Sequence, residues 1–242
     1  MSYDDPWGEA VLPHGPLEEI NPGLWWVWAP CPGVPVTRNM SVFRLADGGL
    51  LLHSPTCLDE ATMKQLDGLG PVQLLLVPNA GHRLDIRRYR KRYPDAKVIA
   101  PANARAKVEE VTPVDATCEE TLPDLGIRLH RPDGMKEGYE LVYEVDLPQG
   151  GRALLVNDVL ADRHPHGPTG FSGFVSGLLG PPGGRLGQPR IVRVSFGKDR
   201  AAFRRFVERL AEVEDLRAML TSHGGPTRGD VATQLREAAA RM

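Results

Sequence analysis

Three loops carry the side chains best suited to chemistry. His82 ends Pro78-Asn79-Ala80-Gly81-His82, straight after the apolar run Gln73 to Val77. An imidazole at such a strand-to-helix loop, near its unperturbed pKa, can ligate a metal or accept a proton, and equally can cap or pack the loop. Asp158 follows the apolar run Ala153 to Val156. It can bind a cation or orient His223, or satisfy backbone amides in a turn. His223, in Ser222-His223-Gly224-Gly225-Pro226, sits where two glycines let a ligand approach closely, although any tight exit turn uses the same residues.

Other chemistry-bearing groups read more blandly. His164-Pro165-His166 pairs two imidazoles, but its proline stiffens an exposed loop that no strand anchors to the other three loops. Five of the six residues from Arg87 to Arg92 are basic, which reads as a solvated helix face and, alternatively, as a docking surface for an acidic partner. Trp25, Trp26 and Trp28 line either a core face or a substrate mouth. The glycine-rich stretch from Gly167 to Gly187 lacks the phosphate-cradling P-loop pattern and reads as a flexible loop or loosely packed short helix, a candidate lid.

The elements that must position these loops follow from periodicity. Leu24 to Trp28, Ser41 to Leu45 and Leu50 to His53 read as a β-meander, with Asp47-Gly48-Gly49 as a turn. Asp59 to Leu66 reads as a helix; Gln73 to Val77 as a strand covered on both faces; Leu84 to Tyr93 as a helix stopped by Pro94; and Lys97 to Ala100 as a strand. Leu141 to Val145 and Ala153 to Val156 form a hairpin around Pro148-Gln149-Gly150-Gly151. Ile191 to Val194 reads as an edge strand. Phe203, Phe206, Val207, Leu210 and Val213 mark an amphipathic helix, Ala218 to Thr221 a strand, and Val231, Leu235 and Ala238 a terminal helix. Strands followed by a helix in each half suit an α/β fold with two sheets face to face and helices outside.

This order of features (meander, His53-Ser54-Pro55, strand into Asn79 and His82, strand into Asn157-Asp158, strand into Ser222-His223-Gly224) resembles the metallo-β-lactamase fold superfamily from about Leu24 to Met242. It is most similar to a divergent branch with an Asn-x-x-His segment and a following Tyr-Pro-Asp-Ala, here Tyr93 to Ala96. The resemblance implies a four-layer αββα sandwich of two mixed sheets flanked by helices, preceded by an extension over residues 1–23. It also implies one or two zinc or iron ions at the strand ends that hydrolyse esters, amides, thioesters or phosphodiesters.

The superfamily's His-x-His-x-Asp-His is absent. A motif begun at Asn79 places Asn79, Gly81, Arg83 and Leu84 at its ligand positions; moved by one residue it places Ala80, His82, Leu84 and Asp85. The third family histidine is expected near Met135 to Tyr139, where there is none, and the family's aspartate after the Leu50 to Leu52 strand is His53. Asp158 matches the acid that bridges the metals and His223 the last histidine. The set implied as metal ligands is therefore His82, Asp85, Asp158 and His223, a mixed shell for one zinc, iron or manganese ion, with Asp158 and His82 as catalytic candidates. Asn79, His53 and His223 are candidate ligand contacts. The motif losses point to a domain without the dinuclear centre that binds a small molecule and catalyses nothing. The alternative is a mononuclear hydrolase of an ester, amide or phosphodiester.

Composition narrows the partners. A chain of 242 residues with 41% hydrophobic content can bury a full core. Its 29 basic and 31 acidic residues give a net charge of −2, with no global pull toward nucleic acid or anionic lipid. The proline-broken, acidic start and the lack of a long apolar run predict a cytoplasmic protein with no membrane contact. Three cysteines without a Cys-x-x-Cys pair predict reduced thiols.

Overall fold

The computed structural model describes residues 3, 6–137, 139–162 and 165–242. Seven strands form one sheet in chain order: β1 (Glu18–Asn21), β2 (Leu24–Pro30), β3 (Thr37–Arg44), β4 (Leu50–His53), β5 (Val72–Leu76), β6 (Lys97–Ala100) and β7 (Ala116–Thr117). β1 to β4 are antiparallel neighbours, and β4 to β7 run parallel. The second sheet has the order β8 (Arg128–His130), β9 (Val142–Asp146), β10 (Arg152–Val156), β11 (Leu216–Thr221) and β12 (Thr227–Arg228), with only β10 and β11 parallel. The segment before Leu24 supplies the short helix α1 (Trp7–Ala10) and edge strand β1, and lays Trp7 and Leu17 against the core.

Side-chain alternation converts these sheets into layers, because neighbouring strand residues face opposite sides. Trp25, Leu50, Leu52 and Leu75 enter one core with Met63, Leu66 and Tyr89, which belong to α2 (Glu60–Leu69) and α3 (Ile86–Arg92). Trp26, Leu51, Leu74 and Leu76 enter a second core between the sheets, where they meet Tyr143, Ala153 and Leu155. Leu154 and Val156 point into a third with Phe203, Phe206 and Leu235, from helices Arg200–Leu210 and Val231–Ala240. Three cores between four layers are the αββα sandwich. The continuous apolar runs of β5 and β10 exist because both faces of each strand are covered. The adjacent tryptophans Trp25 and Trp26 serve two cores, while half-buried Trp28 stacks on His166 with centroids 4.9 Å apart.

Two expectations are corrected. Ile191 to Val194 is not an edge strand but part of helix Arg190–Phe196. Pro189 precedes its first residue, and the helix buries Val192 in the third core while Ile191 and Val194 face outward; packing overrides the β-branched propensity. The basic run on α3 is not a free solvated stripe. Arg90 pairs with Asp115, Arg92 with Glu60 and Asp67, and Arg88 is buried against Asp85. The glycine-rich stretch contains a helix, Gly170–Leu179, whose Phe171, Phe174 and Leu178 are exposed. Cys57 and Cys118 are buried free thiols and Cys31 is half-buried. Among the described residues no helix is long and apolar enough to cross a membrane.

Candidate metal centre

The parallel strands β4, β5, β10 and β11 all end on one rim, and the loops leaving them carry Ser54, His82, Asp158 and His223. Open α/β sheets bind ligands at such carboxyl ends. His82 Nε2 lies 3.2 Å from Asp158 Oδ1, His223 Nε2 lies 3.1 Å from the same oxygen, and the two Nε2 atoms are 3.3 Å apart. Each imidazole is held by its other nitrogen. His223 Nδ1 donates to the Thr37 carbonyl at 2.6 Å, and His82 Nδ1 meets Ser54 Oγ at 2.8 Å. Such a bond on the remote nitrogen turns the second nitrogen inward, as in metal-ligating histidines.

The carboxylate is held as firmly. Asn79 Nδ2 donates to Asp158 Oδ2 at 2.7 Å, while Asn79 Oδ1 accepts from the Gly81 amide. Behind this loop the buried Glu140 accepts from the Asp158 and Val159 amides at 3.0 and 2.8 Å and from Asn157 Nδ2 at 3.2 Å. Burial, reinforced by the Asp158 charge, raises the Glu140 pKa to about 8. Burial opposes the charge on Asp158, yet the His82 charge and hydrogen bonds from His223 and His82 hold its carboxyl well below the usual range. Burial also works against a charged His223, but its bond to Asp158, that residue's charge and the Thr37 carbonyl push its pKa up.

The donor set fits one small divalent ion. Two inward nitrogens and one carboxylate oxygen, mutually 3.1–3.3 Å apart, match the ~3.3–3.4 Å separation of ligand atoms held tetrahedrally at ~2.0–2.1 Å, leaving a fourth direction open. These three residues are the metal-competent group found among the described residues.

The remaining expected residues fall elsewhere. Asp85 does not join the cluster: its carboxylate binds Arg38 Nη1 at 2.7 Å, Arg88 Nη1 at 3.1 Å and the Cys57 amide at 3.0 Å. It starts α3, and its bonds to Arg38, Arg88 and the Cys57 amide hold it in the wall, away from His82, Asp158 and His223. His53 lies beneath the centre, edge-on to Tyr143 with centroids 5.6 Å apart, and its Nε2 has no partner. Burial, then the His82 charge, drives its pKa down to about 3. Neutral burial of His53 therefore adds stability that is complete above pH ~6.5 and is lost as pH falls toward 3, at most about 4–5 kcal/mol at 1.36 kcal/mol per unit. His53→Phe is expected to flatten the loss of stability between pH 6.5 and 4, read by chemical denaturation at the two pH values. Unchanged acid sensitivity would assign that loss to other groups.

Several contributors had no signal in the spacing. Tyr139 ends the interval where a third histidine is expected; burial and the neighbouring Asp158 charge keep its phenol protonated. Ser54, at φ 58°, occupies a left-handed conformation that non-glycine residues seldom adopt. His130 pairs with Glu144 at 2.7 Å and stays outside the site, and His164 lies outside the described residues. A cavity of about 870 Å³ opens over the centre. His82, Asp158, His223, Tyr139 and Arg38 line it, and the helix Gly170–Leu179 contributes Gly173, Ser176 and Leu179 to its wall.

No protein-family model matches the sequence, and no curated protein does. Solved structures do. The metallo-β-lactamase FIM-1 of Pseudomonas aeruginosa, in a mono-zinc form, superposes with a TM-score of 0.58 at 13% identity, over 96% of this chain and 97% of that one. The metallo-β-lactamase of Hirschia baltica gives 0.58 at 12% identity over 93% and 98%, and that of Pontibacter korlensis 0.56 at 13% over 93% and 99%. The chain has the metallo-β-lactamase fold, in a divergent sequence.

Proposed function

We propose that the chain is a mononuclear metal-dependent hydrolase of a small-molecule ester, amide or phosphodiester, with His82, Asp158 and His223 holding the ion. The convergence of their three ligand atoms carries this reading and favours it over a noncatalytic binding domain, for which those side chains need not meet. Zinc, iron or manganese bound there would supply Lewis acidity toward a carbonyl or phosphoryl oxygen. The chain's own residues do the rest. Ser54 and the Thr37 carbonyl aim the imidazoles, Asn79 and Glu140 fix the Asp158 loop, and Tyr139 stays a neutral hydroxyl on the cavity wall. The small net charge and the cavity over the centre suit a small molecule rather than nucleic acid or membrane, and we propose a cytoplasmic location.

One observation favours a second reading. Ser54 Oγ, His82 and Asp158 form a hydroxyl–imidazole–carboxylate relay at 2.8 and 3.2 Å, with the serine on a strained turn at a strand end, the arrangement of a nucleophilic serine. Chelated and zinc-, iron- or manganese-reconstituted protein, assayed on p-nitrophenyl acetate and bis(p-nitrophenyl) phosphate, separates the readings. Hydrolysis that follows ion content supports the metal enzyme, and Ser54→Ala or Asn79→Ala is then expected to cost only about 10–100-fold in activity or metal affinity. Hydrolysis that survives chelation and disappears in Ser54→Ala supports the serine. No hydrolysis with any ion leaves the binding domain.

A further inference from the structure

The exposed apolar surface of this protein is gathered around the mouth of one cavity. Of the eight large apolar side chains that stand exposed among the described residues, all but Leu125 belong to three segments that line it: the loop of Val34, the helix Gly170–Leu179 and the helix Arg190–Phe196. A contiguous apolar patch on a folded chain marks a binding surface more often than an accident of composition. Val34, Ile191 and Phe196 are both exposed and part of the lining, so the apolar wall reaches the rim; Val36, Leu84 and Leu179, each half-buried, belong to the same wall. The helix Gly170–Leu179 turns its small residues Gly173, Ser176 and Gly177 to the cavity and sends Phe171, Phe174 and Leu178 outward, as their three- and four-residue spacing requires. The small face leaves room, and a Cβ at Gly177 would meet nothing within 4 Å. The charges on the wall do not favour an anion. The Arg38 guanidinium is buried against Asp85, Arg190 donates through Nη1 to the Gly177 and Leu178 carbonyls at 3.0 and 3.4 Å, and Asp162 lines the cavity beside Asp158, with no basic partner among the described residues.

We propose that the substrate of this site is a neutral ester or amide carrying an extended hydrocarbon chain, which lies along the wall of Val36, Leu84, Leu179 and Ile191 while the carbonyl faces His82, Asp158 and His223. The inference rests on the hydrolase reading for the bond that is cleaved, but not for the binding of the chain, which needs no metal. Water adds across the acyl C–O or C–N bond, its hydroxyl to the carbonyl carbon and its proton to the leaving oxygen or nitrogen, releasing a carboxylic acid and an alcohol or amine. Phosphodiesters leave the substrate list, because they bring a permanent negative charge to a wall that already holds Asp158 and Asp162. The cavity of about 870 Å³ lies within the ~300–1,000 Å³ typical of small-molecule sites, and each methylene buried in it strengthens binding by about four-fold.

Isothermal titration of N-ethylacetamide, N-octylacetamide and octanoate into the chelated full-length protein tests this without turnover. N-octylacetamide is expected to bind at least about fifty-fold more tightly than N-ethylacetamide, the effect of three buried methylenes, and at least about ten-fold more tightly than octanoate. Gly177→Leu puts a side chain into the open space of the cavity and is expected to weaken the octyl amide by at least about ten-fold, although it makes the protein more apolar. Ile191→Asn, at the rim, is expected to act in the same direction, and it carries the test if circular dichroism shows that Gly177→Leu does not fold. Phe171→Asn changes only the outward face and is expected to bind the octyl amide as the parent does. Equal binding of the ethyl and octyl amides, octanoate binding as tightly as the octyl amide, or octyl binding that a folded Gly177→Leu leaves unchanged would each overturn the assignment. Octyl binding abolished by Phe171→Asn would also overturn it and give the patch to a bilayer or a second copy of the chain. Tight octyl binding in a protein that hydrolyses nothing with zinc, iron or manganese would leave the apolar site standing while removing the hydrolase.

Discussion

Asp158→Ala and His223→Ala are each expected to empty the chain of tightly bound metal and to lower hydrolysis by more than about 100-fold, the upper range seen when only an outer-shell partner of a ligand is lost. The reasoning starts from the geometry. Asp158 Oδ1 is within 3.2 Å of both Nε2 atoms, so its removal leaves two imidazoles facing each other with nothing to offset an ion's charge. Removing His223 leaves a nitrogen and an oxygen, too few protein ligands for a zinc-type site, which uses three in catalytic centres. Neither change should unfold the protein, since both side chains sit on the cavity wall and the strands behind them are closed by apolar packing. Metal content and rate should therefore fall together while the melting temperature of the chelated protein barely moves. Variants that keep metal and rate would place the ion, or the chemistry, elsewhere.

Asp85→Ala is expected to do the reverse. Asp85 is fully buried and holds Arg38, Arg88 and the Cys57 amide at 2.7–3.1 Å. Its loss strands the Arg38 guanidinium, 7% exposed, beside an unmet Cys57 amide, and takes one buried partner from Arg88. Breaking a buried ion pair by deleting one partner costs about 3–5 kcal/mol, because the surviving charge is neither solvated nor paired. Denaturant unfolding should register a loss of that order, a large part of the ~5–15 kcal/mol that holds a domain together. Metal stoichiometry in the fraction that stays folded should be unchanged. A variant that is stable but metal-free would return Asp85 to the ligand set.

The contrast between these two aspartates shows what the sequence can carry. Asp158 was legible because it comes two residues after a strand whose continuous apolar run, Ala153 to Val156, reports burial on both faces, and a strand end fixes where the next side chains emerge. His82 and His223 were legible in the same way. Asp85 was not, because three residues past His82 the chain has already turned into α3, and the sense of that turn is set by Arg38 on a strand nearly fifty positions earlier. Glu140, Ser54 and the Thr37 carbonyl were silent for the same reason: each meets its partner only after strands from distant segments are assembled. The layered fold came through well, since alternating strands and amphipathic helices are local signals. The helix at Arg190–Phe196 did not, because its β-branched residues prefer a strand until Pro189 and the burial of Val192 decide otherwise.

The most direct measurement is elemental mass spectrometry on untagged full-length protein, as purified and after reconstitution with zinc, iron and manganese. About one ion per chain, lost in both Asp158→Ala and His223→Ala, is the result expected of a three-ligand centre. No ion under any of these conditions would contradict it and leave the fold without the metal that the convergence of His82, Asp158 and His223 implies.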